Sequence, residues 1–103
     1  MDYQVVLSPS ARADLRDIVR YISFDAPDRA LQFGLFLISR TRLLADSPEL
    51  GRIVPEIADP VIREIIVASY RIVYRLDHAR RIIEVVRFWH AARGTPEFVT
   101  KGD

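Results

Sequence analysis

One histidine and several arginines in the second half of the chain are the residues best suited to chemistry. His90 can act as an acid or a base near neutral pH, and four arginines can hold phosphate charge: Arg63, Arg71, Arg87 and Arg93. RNA cleavage without a metal needs a base for the 2′-hydroxyl proton, an acid for the leaving 5′-oxygen, and cations for the phosphate. These residues therefore form a candidate ribonuclease site, which Tyr70, Tyr74 and Glu84 could assist.

The arginines also have a structural interpretation. Arg71 and Arg75 lie four residues apart and so share one face of a predicted strand. They can form a solvated sheet surface, paired across strands with Glu64 or Glu84. Alternatively, they can bind the carboxylates or phosphates of a partner. The sequence leaves both alternatives open.

Similar alternatives apply to the other candidates. A single histidine at a strand end, such as His90, is commonly hydrogen-bonded to backbone. Trp89, the one tryptophan, can pack in the core or anchor a partner from the end of the last strand. Phe88 and Trp89 point to opposite sheet faces, so we expect at most one of them in the core. His78 is expected in a surface turn, as a spectator.

Composition argues against several other kinds of site. The chain has no cysteine, which fits a reducing cytosol, and it lacks the Walker, HExxH and GxSxG motifs and any Cys/His ligand set, so we expect no metal and no cofactor. No apolar run approaches the roughly 18 residues that cross a bilayer, so we expect a soluble, cytoplasmic protein without a membrane partner. Net charge is only +1, but residues 51–103 hold nine bases and seven acids. An anionic partner should therefore meet the C-terminal half.

Hydrophobic periodicity predicts two helices followed by a meander of strands. Residues 3–7 are strand-like; Ser8 and Pro9 then start a helix, and Pro27 starts a second one that stops at Ser47-Pro48. Gly34 inside the second helix fits a close crossing with the first. Strands are predicted at 62–67, 70–76 and 81–89, residues 53–60 are expected to be irregular, and 49–52 to be a loop.

This order, β-α-α-β-β-β, implies an α+β sandwich of two layers, with the helical hairpin packed on one face of a mainly antiparallel sheet. Alternation in the second strand of the meander places Tyr70, Ile72, Tyr74 and Leu76 on the helix side. Arg71, Val73 and Arg75 are expected on the other face, which should meet water or a partner. We expect a single domain over residues 1–94 and a polar C-terminal tail over 95–103.

Several short motifs, taken in order, resemble the RelE/ParE toxin superfamily over about residues 3–94. The first strand and helices carry Leu7-Ser8-Pro9-Ser10-Ala11, Asp14-Leu15, Ile18, Tyr21-Ile22, Ala30 and Phe33. The connection and sheet carry Leu44, Pro48, Gly51-Arg52, Arg63-Glu64, Tyr70-Arg71-Ile72-Val73-Tyr74-Arg75, Arg87, His90 and Arg93. The resemblance is stronger to the ParE-type branch, often called plasmid-stabilisation proteins, than to RelE itself.

The resemblance implies a bacterial growth-inhibiting toxin of a type II toxin–antitoxin system, neutralised by a cognate ParD-like or RelB-like antitoxin in a hetero-oligomer. The expected activity is ParE-like inhibition of DNA gyrase, with target contacts from Arg63, Arg71, Arg75, Arg87, Trp89, His90 and Arg93. The alternatives are a RelE-like, ribosome-dependent mRNA endoribonuclease, using His90, Arg87, Arg71 and Arg63, and a non-toxic partner of the antitoxin. Two departures from the family pattern count against catalysis. RelE-like active sites are rich in lysine, whereas this chain has no lysine before Lys101. Ribonuclease members also tend to carry an aromatic residue directly after the histidine, whereas Ala91-Ala92 follow His90 here.

Overall fold

The computed structural model describes residues 2–96. They form two helices and five strands: β1 (Gln4–Leu7), α1 (Pro9–Ser23), α2 (Pro27–Arg42), β2 (Arg52–Ile53), β3 (Ile62–Val67), β4 (Tyr70–Asp77) and β5 (Ile82–His90). Short 3₁₀ turns follow α2 (Leu43–Ala45) and β5 (Ala91–Arg93). The predicted α+β fold, a helical hairpin on a mainly antiparallel sheet, is confirmed. Of the predicted tail, residues 97–103 lie outside the described part.

The strands form one sheet in the order β1-β5-β4-β3-β2. β1 runs parallel to β5, and the other pairs are antiparallel. The predictions that Arg52 belongs to a loop and Ile53 to an irregular segment were wrong, because both residues lie in β2. β2 is only two residues long and pairs with Arg63 and Glu64 of β3, so no periodicity could have indicated it.

The helix start at Ser8 and Pro9 is confirmed, and it also ties α1 to the sheet. The Ser8 hydroxyl accepts from the Ala11 N–H at 3.0 Å and donates to the Val86 carbonyl at 3.1 Å. Further along, a Cβ added at Gly34 of α2 would lie 2.8 Å from Cγ2 of Val19 in α1. The expected close crossing of the two helices is therefore present.

The main core lies between the helices and one sheet face. Ile72, Tyr74 and Leu76 belong to it, as the alternation in β4 predicted, and Tyr70 packs partly buried against it. Phe88 of β5 joins the same core.

The opposite sheet face was expected to meet water or a partner, and much of that expectation was wrong. A second, smaller core forms there from Val54, Ile62, Val73 and Val86, against which Ile57 packs. The irregular segment 54–60 therefore folds back over the sheet. Both faces are covered, which is why Phe88 and Trp89 are each only 2% exposed although at most one of them was expected in the core.

Within residues 2–96, no helix is long and apolar enough to cross a membrane.

A candidate site at the end of the central strands

His90 ends β5 and is held by two local contacts. Its Nδ1 accepts the N–H of Ala92 at 3.1 Å, which caps the following 3₁₀ turn. Its ring stands edge-on to Tyr70, with centroids 5.1 Å apart. Because Nδ1 is an acceptor, the neutral imidazole carries its proton on Nε2. The expected backbone hydrogen bond is thus present, and Nε2 remains the atom that can serve an external group.

An open cleft of about 450 Å³ lies beside His90, between α1 and the ends of β4 and β5. Its lining combines an apolar floor with aromatic and charged walls: Asp14, Asp17, Ile18, Tyr21, Tyr70, Phe88, His90 and Arg93. Burial, with a smaller contribution from Tyr21, raises the pKa of the Tyr70 hydroxyl. The hydroxyl therefore stays protonated at neutral pH, and Tyr70 offers a neutral aromatic surface.

One wall of the cleft depends on an ion pair between α1 and β5. Arg87 donates from Nε and Nη2 to the two carboxylate oxygens of Asp14, each at 2.7 Å. Asp14 also accepts the backbone N–H of Phe88 at 3.0 Å. This N–H lies past the last residue of β5 that pairs with β1, so the Asp14 carboxylate supplies the hydrogen-bond acceptor there. Sequence reasoning did not assign Asp14 a role because its partner lies 73 residues away; its position beside the apolar stripe of α1 was the available signal.

Trp89 lies under two of the candidate arginines. The guanidinium carbon of Arg93 is 3.8 Å from the indole centroid, and that of Arg87 is 4.8 Å away. The indole Nε1 is buried and has no hydrogen-bond partner among the described residues. With 2% exposure, Trp89 is not the partly exposed anchor that was one of its two interpretations; it holds Arg93 in place instead.

Arg71 is enclosed by acidic groups. Its Nε donates to Glu64 at 2.6 Å, both terminal nitrogens donate to Glu56 at 2.9 Å, and Nη1 also donates to the Gly94 carbonyl at 3.0 Å. Glu64 accepts in addition from Arg52 at 2.8 Å. Hydrogen bonds from Arg71 lower the pKa of Glu56 to about 2. In turn, Glu56 raises the pKa of Arg71.

This arrangement decides between the two interpretations of Arg71. The cross-strand pair with Glu64 was foreseen and is confirmed, but the expected exposed arginine surface was wrong at this position, since the Arg71 side chain is 9% exposed. Its donors already serve two carboxylates and a carbonyl. Arg71 therefore cannot take up a phosphate without breaking this cluster.

The remaining candidate arginines lie away from the cleft. Arg75 pairs with Glu84 at 2.7 Å, the second foreseen cross-strand pair. Arg63 donates to the carbonyls of Pro60 and Gly51, both at 3.0 Å. Its strand partner is Tyr74, four residues along β4 from Tyr70, so Arg63 does not meet His90.

Tyr74 and His78 occupy structural positions. The Tyr74 hydroxyl donates to the Pro48 carbonyl at 2.9 Å and accepts from the Gly51 N–H at 2.8 Å, and burial raises its pKa. It thereby positions the loop before β2 and cannot assist at His90. His78 lies exposed in the turn after β4, as expected, with Nδ1 2.6 Å from the Tyr3 hydroxyl.

The structure therefore brings together Tyr70, Arg87, Trp89, His90 and Arg93, and leaves Arg63, Arg71 and Arg75 outside. The cleft offers one imidazole, one stacked guanidinium and two tyrosine rings. These groups can bind an anionic or aromatic partner. Within residues 2–96, no group of three His, Cys, Asp or Glu side chains is placed to hold a metal ion.

Comparison with known protein families identifies one family for this chain. A family profile described as "ParE toxin of type II toxin-antitoxin system, parDE" matches residues 5–94. No curated protein matches the chain by sequence at a significant level.

Three solved structures share the fold. A chromosomal ParDE toxin–antitoxin system from P. aeruginosa is similar with a TM-score of 0.72 at 18% identity, covering 85% of this chain and 95% of that one. The RelBE2 toxin–antitoxin complex from Mycobacterium tuberculosis has a TM-score of 0.64 at 19% identity, covering 87% and 99%. A mutant of the E. coli toxin RelE in the free state has a TM-score of 0.65 at 16% identity, covering 91% and 88%.

Proposed function

The chain belongs to the ParE toxin family of type II toxin–antitoxin systems, and on that basis we propose that it is a toxin that inhibits DNA gyrase without catalysing a reaction. The match over residues 5–94 carries this proposal. Residues 1–94 would form the toxin domain, followed by the tail at 95–103. No cofactor is required.

The state of the candidate catalytic groups supports inhibition over RNA cleavage. Metal-independent cleavage needs cations free to hold the phosphate in the transition state. Arg71 is occupied by Glu56 and Glu64, and Arg87 by Asp14. Of the three possible helpers, Tyr74 and Glu84 hold Pro48 and Arg75. His90, Tyr70 and Arg93 remain at the cleft, so Arg93 is the one candidate arginine that lines it and could hold a phosphate.

The proposed target contacts are therefore the groups around the cleft. His90 presents Nε2, Arg93 presents a guanidinium held in place by Trp89, and Arg87 acts through Asp14 as a positioning residue. Arg63, Arg71 and Arg75 are reassigned to the stability of the sheet. The proposed target contacts are therefore fewer than the target-binding residues that the sequence suggested.

A cognate antitoxin is the proposed partner, since two of the similar structures are toxin–antitoxin systems. The outer side of the helical hairpin offers an apolar surface for it. Leu31, Leu35, Phe36 and Leu43 are between 46% and 62% exposed there. The surface continues into a groove lined by Leu50 and Ile66. An amphipathic antitoxin helix would cover such a face.

A gyrase assay tests the proposal directly. Purified protein is mixed with gyrase, ATP and supercoiled plasmid, and we expect linear DNA or lost supercoiling that disappears on adding the antitoxin. Arg93→Gln and His90→Ala should reduce the effect at least tenfold while circular dichroism stays unchanged. Arg29→Gln, an exposed arginine at the start of α2, is the matched control and should retain full effect.

The other outcomes identify the alternatives. No effect on gyrase at excess protein, together with His90-dependent cleavage of ribosome-bound mRNA, would overturn the proposal in favour of a ribonuclease. Inactivity in both assays, with antitoxin binding retained, would identify a toxin-fold protein that only binds its antitoxin.

A further inference from the structure

His90 connects a titratable ring to the turn that carries Arg93. Its Nδ1 accepts the Ala92 N–H at 3.1 Å and so caps the 3₁₀ turn Ala91–Arg93. Only the neutral imidazole can do this, because both ring nitrogens of a protonated histidine are donors. The cap therefore exists only while the ring is uncharged, and histidine side chains change charge between about pH 5 and 8.

The two ends of this turn are held by other groups. The Ala91 N–H donates to the Ser69 carbonyl at 2.8 Å, and the Gly94 carbonyl accepts from Arg71 at 3.0 Å. Neither bond depends on a group that titrates near neutral pH, since arginine stays charged throughout that range. Loss of the histidine cap would therefore change the middle of the turn, which includes Arg93, and leave its ends in place.

Arg93 is the side chain that a change in the turn would displace. Its guanidinium carbon lies 3.8 Å from the centroid of the Trp89 ring, and it covers an indole that is only 2% exposed. Arg93 also lines the cleft beside His90, so a charged imidazole would add a like charge to the same surface. Protonation of His90 would thus remove the cap from the turn and also repel the guanidinium.

The cleft offers the charged ring another partner. The titratable and charged groups that face His90 come from three elements: Asp14, Asp17 and Tyr21 of α1, Tyr70 of β4, and Arg93 of the turn. Asp14 is engaged by Arg87, and burial raises the pKa of Tyr70, which stays neutral. Asp17, which lines the cleft and makes no ion pair within residues 2–96, remains to neutralise an imidazolium.

We propose that His90 is a pH-sensitive switch that controls the position of Arg93. When the ring is uncharged, it caps the turn and Arg93 stays stacked on Trp89. When the ring is charged, it releases the Ala92 N–H and turns toward Asp17, and the guanidinium leaves the indole. Acidification would thereby displace a proposed target contact. That consequence for toxicity rests on the proposed function, whereas the switch itself can be measured without gyrase.

Tryptophan fluorescence tests the switch, because Trp89 is the one tryptophan of the chain. On titration from about pH 8 to about pH 5, we expect the emission to move to longer wavelength as the indole loses its cover. By NMR, the Ala92 amide proton should shift with the same midpoint. His90→Asn keeps a cap acceptor that does not titrate and should abolish the transition. His78→Gln removes the other, exposed histidine; it is the matched control and should retain the transition.

Two further variants separate movement of Arg93 from a direct effect of the charged ring on the indole. Arg93→Gln should emit at the longer wavelength at every pH, whereas direct quenching would still titrate. Asp17→Asn should move the transition to lower pH, because the charged ring loses its counter-charge. Constant emission of the parent would overturn the proposal, as would a wavelength shift that persists in His90→Asn or Arg93→Gln. A normal transition in a protein that does not inhibit gyrase would support the switch and overturn only its consequence for toxicity.

Discussion

At the scale of single residues, Arg71 shows how a side chain suited to chemistry serves structure instead. It joins Glu64 of β3, Glu56 of the covering segment and the Gly94 carbonyl. Glu64 is fully buried, and a buried carboxylate without a cation is strongly destabilising. The cluster therefore fastens segment 54–60 and the chain after β5 to the sheet. Because its donors are engaged in this cluster, Arg71 is not available to bind a ligand.

The same cluster gives stability a pH dependence. Glu56 has a pKa of about 2 in the folded protein against 4.5 ordinarily, so its ionised form favours folding. This contribution is complete above about pH 4.5 and is lost as the pH falls toward 2. Because the Glu56 side chain is about one-third exposed, water screens the pair, and we expect about 1 kcal/mol. In urea unfolding from pH 5 to about pH 2, Glu56→Gln should lose that much less stability than the parent.

The control for this prediction is Asp25→Asn, which removes an exposed carboxylate after α1 and should follow the parent curve. Parallel curves for Glu56→Gln and the parent would show that Arg71 does not hold Glu56 ionised in solution.

The Tyr74 hydroxyl gives a second prediction at this scale. Tyr74→Phe leaves the Pro48 carbonyl and the buried Gly51 N–H without their partner, and an unsatisfied buried group costs about 1–3 kcal/mol. Chemical denaturation should show this loss. Tyr3→Phe is the control: its hydroxyl contacts the exposed His78, so its cost should stay within about 0.5 kcal/mol. Equal costs would mean that the loop before β2 does not depend on Tyr74.

At the scale of elements, local pattern was sufficient for the helices and the long strands. Ser8-Pro9 marks the start of α1 through its own hydroxyl and ring, and the β4 alternation correctly assigns Tyr74 and Leu76 to the helix side. The errors concern contacts distant in sequence. Nothing near Val54 indicates that its segment folds back over the sheet. The complete cleft could not be predicted either, because Asp14 and Arg87, whose ion pair forms one wall, are 73 residues apart in the sequence.

The close crossing of α1 and α2 at Gly34 can be tested by substitution. Gly34→Ala gains about 1 kcal/mol of helix propensity, but its Cβ would lie 2.8 Å from the Val19 side chain. Val19 is β-branched and has few rotamers with which to yield, so we expect a net loss of about 1–2 kcal/mol. In a double-mutant cycle by chemical denaturation, Val19→Ala should relieve most of the loss caused by Gly34→Ala. A stabilising Gly34→Ala would show that the helices can separate without cost.

At the scale of the whole molecule, the two helices present chemically different surfaces. α1 shows charged arginines such as Arg16 and Arg20, whereas α2 shows Leu31, Leu35 and Phe36. An apolar face is suited to a protein partner, whereas exposed arginines are suited to an anionic one. Since the faces belong to different helices, one substitution can impair one surface and leave the other intact.

Leu35→Asp tests this separation. Leu35 is 58% exposed, so the substitution should leave folding unchanged while placing a charge where an antitoxin helix would pack. We expect antitoxin affinity, measured by calorimetry, to fall at least tenfold, with gyrase inhibition retained. Ala79→Asp adds the same charge in an exposed turn after β4 and should be neutralised normally, as should Arg16→Gln/Arg20→Gln. If the antitoxin still neutralised Leu35→Asp at the affinity of the parent, the apolar face of α2 would not be its docking surface, and the α1 face would be the next to test.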